Sequence, residues 1–144
     1  MKNFLLLFVL MISITIHSTA QDKSSDTETP NHLIYSIYFS GGSSYIDGQQ
    51  EQGLIEFLNK IPNIEHYAIS VHSYTDDIGG VDYNKWLSGM RSESVILKLI
   101  DQSISREQIS IQDFGKFNPI YDNSTWEGKL KNRRSDIILI PLEM

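Results

Sequence analysis

Cysteine is absent from all 144 residues. That excludes disulfides, thiolate metal sites, a cysteine nucleophile and an N-terminal lipid-modified cysteine. Positive charge is also in deficit, with 12 Lys and Arg against 18 Asp and Glu and a formal net charge of −6. Nucleic-acid affinity rests on neutralising phosphates, so this balance argues against such a partner. The apolar run Phe4–Ile16 has only 13 residues, too few to cross a bilayer as a helix. No later stretch is apolar enough to do so, and no series of alternating strands suffices for an outer-membrane barrel.

Site motifs are missing as well. No nucleophile elbow of the form G-x-S-x-G occurs, and no phosphate-cradling G-x-x-x-x-G-K. His32, His66 and His72 lack the spacing of a helical zinc site, and Asp76, Asp77 and Asp82 do not follow a calcium loop. The sequence therefore points to a non-catalytic chain without metal or cofactor.

What is present begins with Lys2, the short apolar run, and small residues at Ser18 and Ala20. This is the pattern of a secretory signal peptide over residues 1–20, cut before Gln21, with export to the periplasm. Removing it takes away one lysine and moves the net charge from −6 to −7. Residues 21–32 are polar and contain Pro30, and they read as a disordered leader. The folded unit is expected over 33–144.

Within that unit, Leu33–Phe39 is β-branched and aromatic and predicts a strand. Gln49–Ile61 has helical periodicity and stops at Pro62. His66–Tyr74 alternates as a second strand. A long helix is expected from about Tyr83 to Ile100, capped by Asp82, with Leu87, Met90, Ser94 and Leu97 along one side. Glu107–Gly115 and Arg134–Leu142 read as strands, with a short helical turn in "NSTWEGKLKN". The order β-α-β-α-β-(α)-β implies an α/β fold: a two-layer α/β sandwich with a mixed four-stranded sheet and helices on one face. Trp86 and Trp126 are expected to be partly buried in packing, although either could stack on a sugar ring.

The stretch "YTDDIGGVDYNKWLSGMRSESV" sets a carboxylate, Asp76, on a glycine-containing loop ahead of a helix that carries Arg91. Asn84, Leu87, Ser88, Arg91 and Val95 share one helix face. If the loop folds back, Asp76 and Arg91 form either a structural ion pair or a two-point grip on a zwitterion.

The same stretch resembles the peptidoglycan-binding domain found in outer membrane protein A, in Pal lipoproteins and in flagellar stator proteins. Thr75-Asp76, Gly79, Tyr83-Asn84, Leu87-Ser88, Arg91 and Val95 stand in that family's register. "NPIYDNSTWEGKLKNRRSDIILI" resembles its closing motif, and "YFSGGSSYID" its first strand and exit. The sequence departs from the family pattern at Ser40, Gly41, Ser73, Tyr74 and Ser92. The resemblance implies non-covalent binding of peptidoglycan through the diaminopimelate of the stem peptide. It implies ligand contacts at Asp76 for the ammonium and Arg91 for the carboxylate, with Thr75, Asn84 and Arg133 lining the pocket. It places the chain in the cell envelope, by the wall or outer membrane. The alternative is a module that has lost wall binding and contacts an envelope protein. On this reading, replacing Asp76 or Arg91 weakens binding and leaves the fold intact.

Overall fold

A computed structural model describes residues 32–143. The expected signal peptide and all but the last residue of the expected leader lie outside the described residues. The elements are β1 (Leu33–Tyr38), α1 (Gly48–Leu58), β2 (Tyr67–Tyr74), α2 (Val81–Asp101), β3 (Ile109–Gly115), α3 (Trp126–Asn132) and β4 (Arg134–Pro141). Their order is the one expected. The strands form one mixed sheet in the order β1-β4-β2-β3. β2 and β3 run parallel, joined by α2, and β4 lies antiparallel between β1 and β2.

Alternation along the strands decides which face is covered. Ile37, Ile69, Val71, Ile137 and Leu139 point into one layer, where they meet Leu54 and Leu58 of α1 and Val95, Ile96 and Leu99 of α2. Each such side chain, fully buried, contributes about 1.5–3 kcal/mol. With no cysteine in the chain, this layer is the main source of stability. No helix among the described residues is long and apolar enough to cross a membrane.

Three details differ from the sequence reading. The N-cap of α2 is Gly80, which makes no side-chain cap, and Asp82 sits within the first turn. There its charge still favours the positive end of the helix dipole. The buried face of α2 comprises Asn84, Leu87, Ser88, Arg91, Ser92, Val95, Ile96 and Leu99, whereas Met90 and Leu97 are exposed. Trp86 and Trp126 are exposed as well, not packed away.

The site is positioned by the ends of these elements. β2 delivers Tyr74 and Thr75 to the start of the acidic loop. Gly79, at φ 97°, makes the turn that a side chain would resist and brings the loop back over the Tyr83 ring. Gly115 ends β3 at φ 58°, with its α-carbon so close to the Asn84 and Lys85 backbone that a Cβ would stand 3.1–3.3 Å from it. β3 and the first turn of α2 are thereby clamped together beside the loop.

Candidate ligand-binding site

A recess of about 140 Å³ opens where the β1 exit, the acidic loop, α2 and the start of β4 meet. Gly41, Gly42, Asp76, Ile78, Tyr83, Asn84, Leu87, Arg91 and Arg133 line it. Four of the five residues expected from sequence, Asp76, Asn84, Arg91 and Arg133, are thus in one wall. Thr75 is not. It is buried behind the loop, where its hydroxyl donates to the Asp76 carbonyl at 2.9 Å and its amide to Gly115.

The ion pairing differs from the expected one. Asp76 does not pair with Arg91. Its Oδ2 accepts from Arg133 Nε at 2.7 Å, and its Oδ1 from the Ile78 amide at 3.2 Å. Arg91 instead spends its fork on the backbone: Nε donates to Ser43 O at 2.9 Å, one terminal nitrogen to Tyr74 O at 2.7 Å and the other to Ser40 O at 3.2 Å. The reason is the loop at the end of β1. It turns its carbonyls inward over α2, and a planar guanidinium with five N–H groups is the side chain that can satisfy several at once. The Phe39 ring lies against the guanidinium at 4.8 Å.

Arg91 is 1% exposed. Burial pushes its pKa down to about 10, the nearby Asp76 charge pulls it back up, and Arg133 pushes it down again. It stays protonated at neutral pH. The recess therefore holds two guanidinium groups against one carboxylate, which favours an incoming anion.

Asn84 also lines the wall. Asn84 is fully buried. Its Nδ2 donates to the carbonyls of Ile78 and Gly80, both at 3.0 Å. Two carbonyl partners fix the orientation of the amide, because its oxygen could not replace the NH₂ there. The Oδ1 is left buried without a hydrogen-bond partner, a state costing roughly 1–3 kcal/mol unless something donates to it.

Sequence reasoning missed Gly41, Gly42, Ile78 and Leu87 as wall residues. It quoted Tyr83 in the motif without giving it a role, yet its hydroxyl reaches the β position of Gly42 at 3.2 Å. The doubled glycine after β1 was the available signal. Larger recesses exist, including one of about 580 Å³ along α1 lined by Tyr35, Asp47, Gln50 and Glu56, but no cation converges with an anion in it.

The chain is similar to known proteins in sequence and in fold. Residues 38–133 match the family model described as OmpA family. The chain is 48% identical over 75 residues to the probable lipoprotein YiaD of Escherichia coli, covering 52% of this chain and 34% of that protein. It is 34% identical over 98 residues to peptidoglycan-binding protein ArfA of Mycobacterium tuberculosis, covering 68% of this chain and 30% of that one. The match thus spans about a third of the length of these two relatives. The crystal structure of the peptidoglycan-associated lipoprotein from Burkholderia pseudomallei has the same fold, with a TM-score of 0.67 at 24% identity over 72% of this chain and 88% of that one.

Proposed function

This chain belongs to the OmpA family, and from that premise we propose that it binds cell-wall peptidoglycan non-covalently, gripping the free amino-acid end of a diaminopimelate in the stem peptide. The observation that carries the reading is the convergence of Asp76, Asn84, Arg91 and Arg133 on one small recess. A zwitterion would complete this wall. Its ammonium would donate to the free lone pairs of Asp76. Its carboxylate would accept from the N–H groups of Arg91 and Arg133 that the protein leaves unused. The volume, roughly five waters' worth, suits one α-amino-acid end.

The relatives support the ligand class, since ArfA is named for binding peptidoglycan and the Burkholderia protein for associating with it. Together with lipoprotein and outer membrane protein relatives, they support a place in the cell envelope. What the recess wall offers such a ligand is charge and hydrogen bonds.

Sedimentation with insoluble peptidoglycan sacculi tests the proposal. The wild type is expected in the pellet. Asp76→Asn is expected to shift to the supernatant, because loss of a charged partner in a desolvated contact costs roughly 2–5 kcal/mol. A wild-type chain that stays in solution would sink the reading and favour an envelope-protein partner.

A further inference from the structure

A recess of about 140 Å³ is small against a disaccharide-peptide unit of the wall. The rest of any wall fragment must then lie across the surface at its mouth. That rim carries an uncommon feature. Arg133, which holds Asp76 at 2.7 Å, stacks against the indole of Trp126, its guanidinium carbon 4.9 Å from the ring centroid. Trp126 opens α3 and is 64% exposed. Its ring is placed by a loop with little freedom: Thr125 caps α3 by accepting from the Gly128 amide at 3.0 Å, and Asp122 is tied to Ser124 at 2.7 Å. Lys129, paired with Asp77, adds polar groups one helical turn away.

Resting on the wall binding proposed above, we propose that Trp126 is a stacking platform for a sugar ring of the glycan strand, an N-acetylhexosamine. A pyranose has an apolar C–H face and a hydroxyl rim. A flat indole with hydroxyl, carboxylate and ammonium groups beside it complements both. A peptide segment fits less well, because the backbone of α3 is paired internally and offers no strand edge. Reach agrees too. Trp126 and Asp76 contact the same Arg133 guanidinium, and the two residues and lactyl group between diaminopimelate and sugar can together span roughly 10 Å or more when extended. Tyr83 and Trp86 are weaker candidates, since they lean on one another at 5.9 Å and Tyr83 already forms the recess wall.

Calorimetric titration of the full chain tests this with two synthetic probes. One is a stem tripeptide ending in diaminopimelate. The other is the same peptide carried on its N-acetylglucosamine–N-acetylmuramic acid disaccharide. The wild type is expected to bind the sugar-bearing probe roughly three- to tenfold more tightly. Trp126→Ala is expected to erase that difference, Trp126→Phe to keep most of it, and both to bind the bare peptide like the wild type. Equal affinity of the wild type for the two probes would overturn the platform and leave the recess standing. So would an equal loss on both probes in Trp126→Ala, which would make the indole a support for Arg133. Failure of the wild type to bind either probe would sink the wall-binding reading itself.

Discussion

Arg91 and Gly128 show what single residues are for. Arg91 satisfies the carbonyls of Ser40, Ser43 and Tyr74 from the middle of α2. Replacing it orphans buried acceptors at roughly 1–3 kcal/mol each. Arg91→Ala is therefore expected to unfold at a clearly lower urea concentration than the wild type, against the sequence expectation of an intact fold. An unchanged midpoint would show that Arg91 serves the ligand alone. Gly128 has a backbone reason. A Cβ there would stand 1.9 Å from the Asp122 carbonyl oxygen, an overlap with main chain that no rotamer relieves. Gly128→Ala is expected to shift α3 and lower the melting temperature measured by circular dichroism. The wild-type value in that variant would contradict the close approach. That Asp76 and Arg91 come to one recess was legible because their motif is local. The Asp76–Arg133 pair was not, because its partners are 57 residues apart and meet only after β4 pairs beside β2.

At the scale of elements, the strands and helices were legible because alternation and helical spacing are local. The phase of α2 was not. Its buried face includes Asn84, Ser88, Arg91 and Ser92, polar residues that a hydrophobicity pattern assigns to solvent. They are inside because they are hydrogen-bonded. Ser73 and Ser135 hydroxyls meet at 2.5 Å, Ser92 lies 2.8 Å from Ser73, and Ser92 reaches an Asp113 carboxylate oxygen at 2.5 Å. The chain ties β4, β2, α2 and β3 across the layer, and the hydroxyl donors can all point toward the one carboxylate. It also holds α2 in register beside Tyr74, whose carbonyl receives Arg91. Asp113→Ala removes the acceptor at the end of the chain. It is expected to cost about 1–3 kcal/mol in urea unfolding, and a loss below the error of that measurement would show that the hydroxyls satisfy one another without it.

For the molecule as a whole, two helices cover one sheet face while the other carries His72, Tyr74, Phe114 and Arg134. Burial pushes the His72 pKa below its usual range, with the Asp136 charge pulling it back up. The unfolded chain therefore takes a proton more readily than the folded one, and the His72 contribution to stability is lost as pH falls below the ordinary histidine range near 6.5. The unfolding free energy is expected to drop between pH 7 and pH 5, and less so in His72→Gln; equal drops would assign the effect to carboxylates. The recess sets two guanidinium groups beside one carboxylate, a pattern that suits a zwitterion. Calorimetric titration of the wild type with stem peptides carrying diaminopimelate or lysine at the same position tests it most directly. Lysine keeps the ammonium and lacks the carboxylate that Arg91 and Arg133 would hold. The diaminopimelate peptide is expected to bind at least tenfold more tightly, since charge-assisted hydrogen bonds of this kind contribute about 1.5–3 kcal/mol. Equal affinities would contradict a site that reads both ends of a zwitterion.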